Sequence, residues 1–474
     1  MIIMYGSAIG AALLVVYMLL KKMDIKVTLF ATGIVLMFIA IAMGRGIAIE
    51  GFETTNFVLF DPLLALVEQF KLTLTNAGFI ILILGGYASY MTYIGANEVT
   101  VNALLKPIKK VKSVYILVPI VFILGNLLSL VIPSASNLAI ILLATLFPVL
   151  KAAGMSTLSI GAIIATSATI VPTPLGGDNV AVATELANHP MFSGLTVSEY
   201  VFSYHALVSI PTLLVIALTH YFWQKYMDKK SPNLNGDDQT ALDDNINEVK
   251  EVQGSNLFKF VYALLPILPI LLLLVTFFLQ STVGITISLS VEVVTIFSFI
   301  VAIFCEIVRY KHIKPVLTGT DYFFKGMGNA IDIVALLVAA SVFVLGLQSI
   351  GLIDELQNTM TGLQSSGSGF VLPLLLVGVT IGIVLISGSG TALFYAMVPL
   401  MVPLAAAAGI NPIAITVPMG LAGNLMRAVS PVAAVVMIVS GTIKKEPIEI
   451  VKRTSVPMIV GIVFMFLLSM ILFL

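Results

Sequence analysis

The sequence predicts an all-α polytopic membrane protein, with about ten transmembrane helices and two re-entrant hairpins arranged as an inverted repeat. Three observations predict it. Hydrophobic residues make up 59% of the chain and charged ones 10%, where soluble domains carry roughly 25% charge; the mean hydropathy is +1.09. Apolar runs of about 18–25 residues recur along the length, each able to cross a hydrocarbon core of ~30 Å. Two of the hydrophobic stretches are broken by Ser, Thr, Gly and Pro at matching places roughly 255 residues apart. Ser134 meets Ser389, Ser136 meets Thr391, Pro148 meets Pro403 and Gly154 meets Gly409. With a slip of two, Thr173-Pro174 meets Ser430-Pro431, and upstream Ile94-Gly95 meets Ile350-Gly351.

Each element follows from hydropathy, and its direction from where Lys and Arg gather, because cytoplasmic loops hold the excess. The amino terminus has no basic region or small-residue cleavage site, so 8–20 reads as a retained first span, not a signal peptide. Lys21, Lys22 and Lys26 follow it and place that loop inside. Span 27–43 leads to the mostly acidic Glu50, Glu53, Asp61 and Glu68, which suit the outer face; 57–70 reads as lying along the interface. Span 78–94 returns to a basic loop carrying Lys106, Lys109, Lys110 and Lys112. A hairpin at about 114–150 enters from inside and breaks at Pro133-Ser134-Ala135-Ser136-Asn137. A broken helix at about 158–185 follows, interrupted at 172–178, and span 200–223 comes back in. The first half, 1–223, ends there.

The stretch 224–256 is polar and charged from Asp228 on, and reads as a flexible cytoplasmic linker. The second half, 257–474, starts inside: 258–279 goes out, 285–308 in, and 329–350 out. Its hairpin, about 370–408, enters from outside and breaks at Ser387-Gly388-Ser389-Gly390-Thr391. A broken helix at about 412–442 is interrupted at Ser430-Pro431; Lys444, Lys445, Lys452 and Arg453 mark the inside, and 456–474 leaves. The two units begin on opposite faces, and both termini lie outside.

Hydrocarbon tolerates unpaired backbone only where protein or water surrounds it, so mid-span breaks imply binding. Free N–H groups and positive helix ends face anions, while free carbonyls and hydroxyls hold small cations. Matched, interrupted segments in two halves are the sequence mark of a transporter's site. The expected substrate contacts are Ser134, Ser136, Asn137, Thr173, Ser387, Ser389, Thr391, Asn424, Arg427 and Ser430. A coupling ion or proton is expected at Asp178, with Asn137, Gly177 and Gly390. Small residues in spans also serve helix packing; two matched clusters, each with a downstream break, favour a site. Arg427 is the sharpest candidate, because a guanidinium holds a carboxylate bidentately. Snorkelling to the inner surface is its alternative. Asp178 carries a proton, binds a cation, pairs with Arg427 in an empty site, or simply caps the following helix.

Other classes find little support. Asp332 and Glu292 sit near the ends of apolar runs, His205 and His220 lack partners at metal-ligand spacing, and Cys305 lies alone in an apolar run. No phosphate-binding G-x-x-x-x-G-K-[ST] motif, no H-E-x-x-H and no G-x-G-D occurs, so neither a nucleotide-driven pump nor an intramembrane enzyme is indicated. A formal net charge of +0 suggests no nucleic-acid surface. A channel would spread polar residues along whole helices instead of gathering them at two tips.

The runs GGYASYMTYIGANEVTV at 85–101, HYFWQKYMDKK at 220–230, NLMRAVSPV at 424–432 and VKRTSVPMIVG at 451–461 resemble the DcuC-type anaerobic C4-dicarboxylate carriers. That resemblance implies membership of the ion-transporter superfamily. It implies scaffold and transport domains with an elevator-type mechanism, usually in a homodimer, within the bacterial inner membrane. Fumarate, succinate and malate are the implied substrates, moved by exchange or with Na+ or H+ and without a cofactor. A carrier of amino acids or other small organic acids is the alternative within the same superfamily; a substrate amine would then pair with Asp178.

Overall fold

The computed structural model describes residues 1–21, 23–49, 51–105, 113–132, 134–230, 255–283, 289–355 and 369–474. The basic loop 106–112, Lys22, Glu50, Pro133 and residues 231–254 of the expected linker lie outside the described residues, as do 284–288 and 356–368. All regular structure among the described residues is helical. Among the described residues, eight helices are long and apolar enough to cross a membrane, and four shorter apolar helices accompany them.

In chain order the helices are α1 (Ile2–Leu20), α2 (Ile25–Ala42), α3 (Asp61–Tyr93), α4 (Ala96–Leu105), α5 (Val114–Ser129) and α6 (Ala135–Thr145). Then come α7 (Phe147–Ala152), α8 (Thr157–Ala165), α9 (Gly177–Ala187) and α10 (Val197–Lys230). The second half holds α11 (Asn256–Thr282), α12 (Val291–Tyr310), α13 (Ile313–Ser349), α14 (Val371–Ser387) and α15 (Thr391–Ala408). The chain closes with α16 (Ile413–Arg427), α17 (Ala434–Thr442) and α18 (Pro447–Phe473).

Local chemistry explains the boundaries. Asp24 caps α2 by accepting from the Lys26 amide at 2.9 Å, and Ser156 caps α8 through Ser159 N at 3.2 Å. Gly388 ends α14 at φ 75°, a left-handed value that favours glycine. Glu446 and Glu449 close a capping box at the start of α18.

Three sequence expectations change. The segment 57–70 is not a separate interfacial piece: Asp61 onward is one 33-residue helix continuing into the third span. The break after 158 comes earlier than expected, because α8 stops at Ala165, not near 171. Arg453 is not a loop residue at the inner surface but lies inside α18, 2% exposed.

The helices pack as two sets. In one, α13 runs against α2 and α3, with α11, α12 and α4 around them. The α3–α13 crossing is close because glycine faces glycine: a Cβ on Gly326 would lie 2.5 Å from the Gly85 carbonyl. In the other, α10 packs on α18 and α5, α16 on α14 and α18, α6 on α17, and α8 on α18. The sets meet where α13 touches α15 and where α9 touches both α15 and α3. That seam contains a cavity lined from both sets.

Candidate functional site

The cavity, of about 250 Å³, lies between the two sets. One wall is smooth and apolar: Ile81, Leu84, Gly85 and Ala88 of α3, with Ala330 and Ile333 of α13. The opposite wall is built from interrupted backbone, and it carries all the charge.

Three chain ends converge there. The segment 166–176 joins α8 to α9 and brings Ala168, Val171, Gly176 and Gly177 to the cavity, with Asp178 in the first turn of α9. The tip between α14 and α15 brings Gly390 and Thr391, followed by Phe394 and Tyr395. The end of α16 brings Gly420, Gly423, Asn424 and Arg427. Two helix N-termini, those of α9 and α15, therefore open onto the same space, and both favour negative charge.

Close packing makes this possible. A Cβ on Gly390 would lie 2.9 Å from the Gly423 carbonyl, so only glycine lets the second tip rest on α16. A Cβ on Gly177 would sit 3.0 Å from the Tyr395 hydroxyl, which draws that hydroxyl up to the α9 N-terminus.

The charges are placed in register with the helix dipoles. Asp178 is in the first turn of its helix, where its Oδ1 accepts from the Asn179 amide at 3.0 Å. Arg427 is in the last turn of its helix, and Nη2 donates to the Ala168 carbonyl at 2.8 Å, so it reaches across to the other break. Its remaining donors are left for the cavity. Asn424 lies beside the Asp178 carboxyl, and Arg427 is near enough for its charge to be felt there. No ion pair joins Asp178 to Arg427 among the described residues, so the pairing considered from sequence for an empty site is not present.

The breaks are held by side chains behind the wall. Asn126 of α5 accepts at Oδ1 from Thr169 N and Ile170 N, both at 3.0 Å, and donates Nδ2 to the Thr166 carbonyl at 3.2 Å. Asn179 donates to the carbonyls of Val171 and Thr173 at 3.2 and 2.9 Å. On the other side, Ser430 Oγ donates to Leu385 O at 2.9 Å, and Thr454 Oγ1 to Ala428 O at 2.7 Å. Beside Thr454, Arg453 forms a buried pair with Asp228 at 2.5 Å and donates to Ser159 Oγ at 3.2 Å. Gln224 donates to the Arg453 carbonyl and meets His220, whose other ring nitrogen meets Thr166. His220 is thus buried in a polar chain that reaches the first break.

Of the residues picked from sequence, Asp178, Gly177, Gly390, Thr391, Asn424 and Arg427 line the cavity together. The others do not. Thr173 is buried and shapes the break, its Oγ1 accepting from Leu175 N at 3.2 Å. Ser430 ties the break to α14. Ser387 is folded against the Ser389 backbone at the tip, away from the cavity, as is Ser389. Ser134 caps α6 through the Asn137 amide at 3.3 Å, and Ser134, Ser136 and Asn137 all lie outside the cavity. The first tip rests on α17 instead. The Ser134 hydroxyl is used in capping α6, so the two tips are placed differently with respect to the cavity.

Sequence reasoning missed Tyr395, Phe394 and Asn126. Tyr395 stands four positions after Thr391, hence one turn along the same helix face; that spacing was available. Asn126 is a lone amide in an apolar run, a signal of the kind that marks intramembrane polar residues as functional.

Helices broken in mid-course around a charged cavity, inside a many-spanned helical membrane protein, define a membrane transporter. A family profile described as DcuC, C4-dicarboxylate anaerobic carrier, matches residues 7–474. The chain belongs to the DcuC family. The Escherichia coli protein named anaerobic C4-dicarboxylate transporter DcuC is 34% identical over 440 residues, 92% of this chain and 89% of the relative. A Vibrio cholerae protein named probable anaerobic C4-dicarboxylate transporter DcuC is 36% identical over 464 residues, 96% of this chain and 95% of the relative. These relatives are named as transporters, not enzymes. Two solved structures share the fold at 15% identity each. The Alcanivorax borkumensis YdaH transporter superposes with TM-score 0.69 over 94% of this chain and 98% of that one. Neisseria gonorrhoeae MtrF, described with a class of antimetabolite efflux pumps, superposes with TM-score 0.64 over 94% and 95%.

Proposed function

We propose that the protein is a secondary transporter of C4-dicarboxylates such as fumarate, succinate and malate in a bacterial cytoplasmic membrane. The observation that carries this reading is the convergence of Arg427 with the N-termini of α9 and α15 on one cavity. A dianion needs its charge compensated at membrane depth. Arg427 supplies one full positive charge and a planar fork for a carboxylate. The helix N-termini at Gly176-Gly177 and Gly390-Thr391 supply partial positive charge and N–H donors for the other end. Thr391 and Tyr395 add hydroxyls that reward correct orientation of the acid.

Asp178 makes the site unsuited to a bare dianion unless its own charge is offset, so a proton or Na+ at Asp178 accompanies the substrate. Gly177 and Gly390 stand beside it; Asn137 does not line this cavity, so it drops out of the coupling set. An elevator movement suits the architecture, because the smooth α3–α13 wall offers no charge to hold the substrate while the broken-helix wall carries the whole site. In this reading the hairpins are re-entrant, the repeat is inverted and both termini lie outside, as the basic loops suggest. Assembly as a homodimer, implied by the family resemblance, belongs to the same proposal.

The test is counterflow in proteoliposomes loaded with unlabelled succinate, with labelled fumarate added outside. Uptake without any ion gradient is expected for an exchanger, and uptake needing a Na+ or pH gradient for a coupled carrier. Fumarate that neither moves nor competes, with an amino acid moving instead, would overturn the substrate class.

A further inference from the structure

A second cavity, of about 160 Å³, lies on the same seam beyond the first. Four of the helices that line the first also line it: α3 through Thr73 and Asn76, α9 through Glu185, α13 through Ser341 and Gln348, and α15 through Val398. Along α9, Glu185 follows Asp178 by seven residues, two turns on the same face. Basic-loop orientation puts this chamber on the outer side of the site.

Its chemistry differs from that of the first cavity. Among the described residues, Glu185 is the one charged residue that lines it; the rest of its polar wall is neutral amides and hydroxyls. Glu185 forms no ion pair among the described residues. The charged and titratable groups on the packed elements are engaged elsewhere or turned away. Lys71 of α3 pairs with Glu68 at 2.9 Å. Asp178 and Tyr395 belong to the first cavity, and His189, Glu199, Tyr200, Tyr204 and His205 do not line the second. No residue of α13 that faces the chamber is charged.

Glu185 is half-buried, and a partly desolvated carboxylate without a positive partner favours a bound cation or proton. Neutral oxygens from hydroxyls and amides, together with one carboxylate, form a donor set suited to a hard monocation and unsuited to an anion. We propose that Glu185 and the surrounding chamber form a separate cation site, which takes a proton or Na+ on the outward path to the substrate cavity. The site rests on the transporter reading only for its role in coupling; occupancy by a monocation stands independently of which acid is carried.

The experiment uses the purified full-length protein and a Glu185→Gln variant, with Glu185→Asp as the conservative control. Thermal stability is measured without substrate across a Na+ series at constant ionic strength with choline, and across a pH series without Na+. A Na+-dependent rise in melting temperature in wild type, lost in Glu185→Gln and partly kept in Glu185→Asp, assigns Na+. A pH-dependent shift lost in the same variant, without any Na+ effect, assigns the proton. Equal responses of wild type and Glu185→Gln to both series would overturn the proposal. In proteoliposomes, Glu185→Gln is expected to keep gradient-free exchange and to lose at least tenfold of gradient-driven accumulation. Unchanged gradient-driven accumulation would also overturn it. Because the stability readout needs no substrate, a failure of the dicarboxylate reading alone leaves its outcome intact.

Discussion

The two breaks sit at matching places in the chain and are finished differently. The first, 166–176, is cross-braced by amides: Asn126 serves two N–H groups and one carbonyl, and Asn179 two carbonyls. The second, 428–433, is tied by single hydroxyls, Ser430 to Leu385 and Thr454 to Ala428. The first presents an acid, Asp178, at a helix start; the second presents a base, Arg427, at a helix end. The two interruptions thus carry charges of opposite sign. Groups of opposite sign therefore line one cavity.

The tips diverge in the same way. The second tip presses Gly390 against Gly423 and brings Thr391 into the cavity, whereas the first uses Ser134 to cap α6. Helix α18 serves both halves through neighbouring residues: Arg453 reaches Ser159 and Asp228, and Thr454 reaches Ala428.

The largest effect that sharpens this comparison is expected at Arg453. Arg453→Met strands the buried Asp228 carboxylate and should cost about 3–5 kcal/mol of stability. Adding Asp228→Leu should recover most of it, read by thermal unfolding in detergent. If the double variant were no more stable than the single, the pair would not be what supports the first break. Next comes Arg427→Lys, which keeps the charge and loses the fork. Transport efficiency should fall on the order of 100-fold with the fold intact, and wild-type counterflow in that variant would remove Arg427 from the site. The smallest effects compare the braces directly. Asn126→Ala orphans the Thr169 and Ile170 amides and should cost about 2–4 kcal/mol, against about 1 kcal/mol for Ser430→Ala. Equal costs would erase the asymmetry.

Much of the fold was legible because a bilayer fixes the length of an apolar run and confines irregular backbone to binding sites. The two charges that line the cavity were legible too, because Arg427 and Asp178 stand out in apolar stretches where charge is costly. Three things were not. Whether a Ser caps a helix or faces a cavity depends on side-chain direction, so Ser134 and Thr391 looked alike. Whether a basic residue marks a loop depends on what it meets in three dimensions, and Arg453 meets Asp228 from far along the chain. The apolar wall of α3 and α13 carries no chemical signal at all, since Ile81 or Ala330 reads the same facing lipid or facing substrate.

The central claim is that substrate occupies the seam cavity at the second tip and not the first tip. It is tested most directly by cysteine accessibility in a Cys305→Ser background, which removes the single native cysteine. Thr391→Cys and Asn137→Cys are labelled with a water-soluble maleimide with and without saturating succinate. The account predicts that succinate protects Thr391→Cys severalfold and leaves Asn137→Cys unchanged. Protection at Asn137→Cys with none at Thr391→Cys would contradict it.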